Sequence, residues 1–210
     1  YDATRGCPPG VEERVAELFV RAGGLGRDSR VLELGVGTGR IAVPLAARVA
    51  RYTGMDLSAP MLARLVAKRG APSVDLVRAD ATRAPFADAS FDAVIAVHVF
   101  HLVPGYRAAL SSVARVLRPG GLLLHGRDDH SRGAGRMHWP KGLEGRPGTE
   151  TVGVARAEID TFPEREGWRP AGMHRIDFDR VVRPREMVDL LAGRAWSTTW
   201  RMSDSDLAAA

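Results

Sequence analysis

The stretch Val31-Leu32-Glu33-Leu34-Gly35-Val36-Gly37-Thr38-Gly39-Arg40 decides how this 210-residue chain is read. Four residues of apolar character, interrupted by one carboxylate, run into glycines at every second position from 35 to 39. The first part reads as a short buried strand and the second as a tight turn. Glycine accepts positive φ without strain and leaves no side chain between the backbone and a ligand. A helix is expected directly after the turn, over roughly 39–50, with Pro44 in its first turn, where a missing N–H costs least. Unpaired N–H groups at such a helix start attract an anion. A small anionic or nucleotide-like ligand is the first expectation.

Outward from this stretch, strands and helices alternate. Val11–Ala22 repeats apolar residues at helical spacing and is stopped by Gly23, Gly24 and Gly26. Arg51–Leu57 reads as a second strand, with Ser58 as the cap of a helix over 59–69. Val74–Arg78 is a third strand, and Phe91–Val97 a nearly continuous apolar fourth, the pattern of a strand covered on both faces. Tyr106–Leu117 is a helix, Arg118-Pro119-Gly120-Gly121 a turn, and Leu122–His125 a fifth strand. This alternation predicts a doubly wound, mostly parallel α/β sheet. Ligands of such sheets bind beyond the carboxyl ends of the strands, at the switch in strand order. The glycine turn, Asp56, Asp80 and His98 all fall at such ends.

Beyond 125 the periodicity weakens. Gly126–Glu150 reads as a loop or lid, a helix is expected near 155–167 with Pro163 interrupting or starting it, 171–182 as a strand, and Pro184–Trp196 as a helix.

Composition narrows the function. The net charge of +5 comes from 30 basic against 25 acidic residues, mixed along the chain without a basic run, so nucleic acid is not expected as substrate. No apolar run reaches 18 residues, and no leader is read ahead of the fold. The single Cys7 excludes an internal disulfide and suits a reducing cytoplasm. The start at Tyr1, without methionine, reads as a fragment.

Two ligand families are disfavoured by spacing. A dinucleotide fingerprint, Gly-x-Gly-x-x-Gly, needs a small residue where Arg40 stands, which leaves a nicotinamide oxidoreductase as an alternative of low rank. A P-loop fails because no Gly-Lys-Ser/Thr follows.

The glycine stretch, Asp56, Asp80-Ala81, Phe91-Asp92 with the strand to Val97, and Leu117–Gly121 occur in order. Together they resemble the class I S-adenosylmethionine-dependent methyltransferases, in particular the small-molecule branch that includes quinone-biosynthesis enzymes. The resemblance implies one methyltransferase domain over 1–210. Its parts are a lead-in and first helix (1–30), a cofactor core (31–125), a lid and substrate region (126–160) and a C-terminal part (161–210). It implies a seven-stranded type of sheet; only one candidate for the usual last hairpin is found, so a strand is expected to be missing.

The resemblance also implies the site. Gly35, Gly37 and Gly39 would pack against the methionine part of S-adenosylmethionine. Glu33 would organise the loop or the amino group, with a strand carboxylate satisfied by backbone amides as the alternative. Asp56 would accept from both ribose hydroxyls, and Leu57 and Met55 would flank the adenosine. Asp80 would take the adenine amino group and Ala81 would donate its N–H to the ring, with a turn or cap role as the alternative for either aspartate. Tyr1 and Arg5 resemble the segment that closes over the cofactor, and Tyr1 would lie near the methyl donor.

Methyl transfer from a sulfonium is an in-line displacement, so the protein aligns the partners and excludes water. The product is S-adenosylhomocysteine. Where the acceptor is acidic, a base helps, and imidazole suits that role. His98, directly after the fourth strand and expected to face and help bind the cofactor, and His101, expected toward the substrate cavity, are the candidates, with wall and packing roles as the alternatives. Arg127-Asp128-Asp129-His130 looks like a metal cluster, but the fourth strand ends in His98 rather than an acid, and no metal is expected. Trp139, Trp168, Trp196 and Trp200 would line a pocket or pack in the core. The expectation is a cytoplasmic monomer or homodimer methylating a small molecule. A protein that binds the cofactor without catalysis is the alternative.

Overall fold

The computed structural model describes residues 8, 10–68, 74–128, 158–159, 167–179, 183–195 and 199–208. Five strands form one parallel sheet in the order β3-β2-β1-β4-β5. They are β1 (Arg30–Leu34), β2 (Arg51–Asp56), β3 (Val74–Arg78), β4 (Phe91–Val97) and β5 (Leu117–Gly126). Helices α1 (Val11–Gly23), α2 (Ala42–Ala46), α3 (Ala59–Lys68) and α4 (Tyr106–Val116) connect or flank them. α5 (Pro184–Ala192) and α6 (Asp204–Ala208) follow. Strand order reverses between β1 and β4, which makes their carboxyl ends the switch point.

Alternation along the strands divides the core. Leu32 and Leu34 join Val94, Ala96, Leu110 and Val113 on the α4 side. Val31 joins Tyr52, Ala93, Ile95, Phe19 and Leu45 on the side of α1 and α2. β4 is buried on both faces, which explains its continuous apolar reading.

Several expectations are corrected. The helix after the glycine turn is only Ala42–Ala46, flanked by turns rather than running from 39 to 50. Gly39 at φ +82° cannot be helical, and at the far end the Arg48 N–H bonds back only three residues, to Leu45. The turn Arg118–Gly121 lies inside β5: Phe91 pairs with Leu117 and Ala93 with Leu122, so four residues bulge out opposite Asp92. Gly120 at φ +79° turns this bulge, and a Cβ at Gly121 would lie 2.9 Å from the Arg118 carbonyl. Within the expected strand 171–182, residues 171–179 have no regular structure, and 180–182 lie outside the described residues. Among the described residues the sheet has five strands. The C-terminal helix ends at Ala192 rather than Trp196, where Gly193 takes over the cap.

Asp92 works at the far end of the sheet. Its Oδ2 accepts the Arg30 N–H at 2.6 Å and its Oδ1 pairs with Arg118, so it ties β1 to the β5 bulge. Arg115 of α4 donates to the carbonyls of Ala84 and Phe86 and pairs with Asp88, which fixes the connection from β3 to β4.

Candidate active site at the strand switch point

The glycine turn is built by backbone geometry. The N–H groups of Gly35 and Val36 both donate to the Met55 carbonyl of β2, at 2.8 and 3.1 Å. Gly35, Gly37 and Gly39 have φ of +65°, +53° and +82°, values at which a Cβ is strained. Their surroundings differ. A Cβ at Gly39 would sit 2.2 Å from Leu65 Cδ1, and one at Gly35 would sit 2.7 Å from Val99 Cγ2. At Gly37 the nearest atom would be the Gly35 carbonyl oxygen, 3.9 Å away. Two glycines thus admit neighbouring side chains, while the third keeps an open approach to the backbone.

Asp56, at the end of β2, holds this turn. Its Oδ2 accepts the Gly37 N–H and its Oδ1 the Ser58 N–H, each at 2.8 Å. A carboxylate oxygen has two lone-pair sites, so each oxygen keeps acceptor capacity for a ligand. Leu57, the next residue, is 64% exposed. Met55 is buried in the core, so of the two residues expected to flank an adenosine only Leu57 presents a side chain.

Glu33 is 3% exposed. Its partner is not a backbone amide: the Tyr52 hydroxyl donates to Oε2 at 2.7 Å. Burial pushes its carboxyl up to about 8, against the lowering effects of the Tyr52 bond and the Arg40 charge, and Asp56 raises it further. Burial likewise holds the Tyr52 phenol well above its ordinary value. Sequence reasoning missed Tyr52, whose only signal was a polar-tipped aromatic in an otherwise apolar strand.

Asp80 is exposed and caps the 3-10 turn Ala81–Arg83, with Oδ1 accepting both the N–H and the hydroxyl of Thr82 at 2.8 and 2.9 Å. Those two bonds hold its carboxyl below the ordinary range. Ala81 is half-buried at the start of that turn. The Ala79 N–H donates to the Asp56 carbonyl at 3.1 Å, which brings the ends of β2 and β3 together.

Across the switch point, His98 follows β4 with φ +53°, one of three non-glycine residues with positive φ among those described. The next residue, Val99, is the one a side chain at Gly35 would strike, so the two loops pack against each other. His98 Nε2 is buried and lies 3.1 Å from Asp128 Oδ2, within ion-pair distance but outside hydrogen-bond geometry. The His101 ring stands edge-on to His98 at 6.4 Å. Phe100 is in the core, and His125 stacks edge-on to it at 5.4 Å. The structure thus brings Gly35, Gly37, Gly39, Asp56 and His98 to one end of the sheet. Tyr1, Arg5, Cys7, Trp139, Trp196, Asp129, His130 and the helix expected near 155–167, apart from Glu158, Ile159 and Gly167, lie outside the described residues. Trp168 packs against the α4-side core, and Trp200 donates to the Arg194 carbonyl. Among the described residues no group of three or more His, Cys, Asp or Glu converges on a metal position, and no helix is long and apolar enough to cross a membrane.

Residues 32–125 match the family described as Methyltransferase domain. Over 98 residues the chain is 42% identical to a phthiotriol/phenolphthiotriol dimycocerosates methyltransferase of Mycobacterium ulcerans, covering 46% of this chain and 36% of that protein. Over 125 residues it is 38% identical to a demethylmenaquinone methyltransferase of Renibacterium salmoninarum, covering 59% and 52%. The chain spans about a third to a half of the length of these curated relatives. A crystal structure of a methyltransferase candidate from Bacillus halodurans superposes with a TM-score of 0.50 at 31% identity, covering 53% of this chain and 49% of that one. A [4+2]-cyclase superposes with a TM-score of 0.50 at 30% identity, covering 57% and 46%. With five parallel strands in this order and the matched residues spanning β1 to β5, residues 32–125 are a class I S-adenosylmethionine-dependent methyltransferase domain.

Proposed function

We propose that this chain binds S-adenosylmethionine at the ends of β1, β2 and β3 and transfers its methyl group in line to a small molecule, leaving S-adenosylhomocysteine. One observation supports the reading: the Gly37 N–H bonds the Asp56 carboxylate beside the strand switch point, and the backbone at Gly37 is open to approach. When bound, the cofactor supplies an activated methyl electrophile. Gly35, Gly37 and Gly39 would border its methionine part, with Glu33 beneath them. Asp56 would accept from the ribose hydroxyls, with Leu57 against the adenosine and Asp80 and Ala81 at the adenine edge. Tyr1 belongs to the same proposal, as a residue closing over the methyl donor. His98 and His101 border the acceptor side.

The name of the demethylmenaquinone methyltransferase relative supports a small-molecule acceptor. The same reading has the chain as a cytoplasmic monomer or homodimer. The likeness to a [4+2]-cyclase favours a second reading, in which the domain serves chemistry other than methyl transfer.

Titration calorimetry with S-adenosylmethionine, S-adenosylhomocysteine and NAD(H) tests the proposal. Both adenosyl ligands should bind and NAD(H) should not; the reverse pattern refutes it. Asp56→Ala removes charge-assisted bonds and should weaken adenosyl-ligand binding by about 1.5–3 kcal/mol. Unchanged affinity removes Asp56 from the site.

A further inference from the structure

We propose that Asp128 is a positioning residue for His98, that His98 is the base of the acceptor site, and that the acceptor is a weakly acidic hydroxyl, a phenol or hydroquinone. The inference rests on the methyltransferase reading above and adds to it the substrate class.

Backbone strain at His98 is the first observation. Its φ of +53° places a β-carbon in the left-handed region at the end of a strand, next to the loop that packs on Gly35. Such strain persists only where the surroundings impose it, and it concentrates at functional sites. Pairing fixes the partner: Val97 is in register with Gly126, and the His98 N–H reaches the Gly126 carbonyl at 3.3 Å. This pairing carries Asp128, two residues on, to 3.1 Å from Nε2. The His98 side chain is 25% exposed while Nε2 is buried, so Nδ1 is the nitrogen through which the ring meets a ligand. The carboxylate lies off the N–H axis, and contacts of this kind tighten once a ligand is bound. Of the other ionisable groups nearby, His101 stands edge-on to His98, and His125 is turned onto Phe100.

The chemistry selects the acceptor. A carboxylate or a neutral amine attacks without a base; a phenol at neutral pH must lose its proton. As the acceptor oxygen forms its bond to the methyl carbon, the sulfur–carbon bond breaks and its electron pair stays on sulfur. The hydroxyl proton passes to His98 Nδ1, and the imidazolium is stabilised by Asp128.

The test compares the full wild-type chain with Asp128→Asn, Asp128→Glu and His98→Asn, the last chosen because asparagine tolerates positive φ. Calorimetry with S-adenosylhomocysteine is run first: the wild type and both Asp128 variants should bind it alike. With that ligand present, 4-nitrophenol absorbance should show the bound phenol ionised at a pH where it is protonated in solution. Asp128→Asn and His98→Asn should lower that phenolate fraction, and Asp128→Glu should restore part of it. With S-adenosylmethionine and ring-substituted phenols, Asp128→Asn should lower kcat by about 10–100-fold, most for the least acidic phenols. The inference is overturned if Asp128→Asn leaves both readouts unchanged, or if its loss is equal across the phenol series. It is also overturned if no phenol binds while S-adenosylhomocysteine does. Failure of the wild type to bind S-adenosylhomocysteine instead overturns the methyltransferase reading, and this inference with it.

Discussion

On the β1–β2 side of the switch point, the site is a backbone object. Two N–H groups on the Met55 carbonyl, two more on Asp56 and three left-handed glycines define the turn. On the β4–β5 side, the site consists of side chains: a strained His98, an Asp128 within ion-pair distance, and a His101 ring set edge-on. The first side is held by main-chain bonds, and in the proposed reading it is the side that cradles the cofactor. The second side rests on side-chain contacts, and in the proposed reading it is the side that meets the acceptor. The two meet where Val99 packs on Gly35.

The sharpest way to break the comparison is at Gly39. Gly39→Ala places a Cβ 2.2 Å from Leu65 Cδ1 at φ +82°, in a buried setting where Leu65 itself has no exposure. Overpacking and left-handed strain together should cost about 2–4 kcal/mol. Thermal or urea unfolding measures this. A stability within about 0.5 kcal/mol of wild type would show that the turn is not held rigidly, since surface changes stay within that range.

Glu33 tests the same rigidity through pH. Its folded value of about 8 lies above the ordinary 4.5, so the native state binds the extra proton. The associated stability is fully present below about 4.5, declines as pH rises, and is lost as pH passes 8. Within that window the native chain should lose at most about 1.4 kcal/mol per pH unit from this group. Glu33→Gln retains an acceptor for the Tyr52 hydroxyl and carries no titration, so its stability should be flatter from pH 5 to 8 and should exceed wild type above 8. Parallel pH profiles for the two proteins would mean that Glu33 is ionised in the fold.

What was legible in the sequence follows the same division. The glycine turn, the alternation of strands and helices and the place of Asp56 at a strand end were readable because glycine takes positive φ without strain and because strand ends are marked by period and turn residues. Glu33 was visible as a carboxylate in an apolar strand, but its partner Tyr52 lies 19 residues away on a neighbouring strand, and only the β1–β2 register joins them. The same holds for Asp128: in sequence it belonged to a polar run, and the pairing of Val97 with Gly126 placed it at His98. Local rules also misjudged length. Pro44 and Gly39 were read as punctuation of a twelve-residue helix, whereas the segment stays helical for 5 residues. Arg118–Gly121 was read as ending an element, whereas β5 absorbs it as a bulge because Asp92 anchors Arg118.

The smallest expected effect on stability is the most informative about the ligand. Gly37→Ala meets nothing closer than 3.9 Å, so its folding cost is only that of a left-handed alanine, about 1–2 kcal/mol and well below that of Gly39→Ala. The added methyl nevertheless occupies the open approach beside the N–H that bonds Asp56. If a ligand lies against this backbone, the substitution should weaken S-adenosylhomocysteine binding more than it weakens the fold, while Gly39→Ala should do the opposite. Calorimetry and urea unfolding on the two variants decide it. Equal ratios of binding loss to stability loss would mean that all three glycines serve the fold alone and that the ligand contacts lie elsewhere.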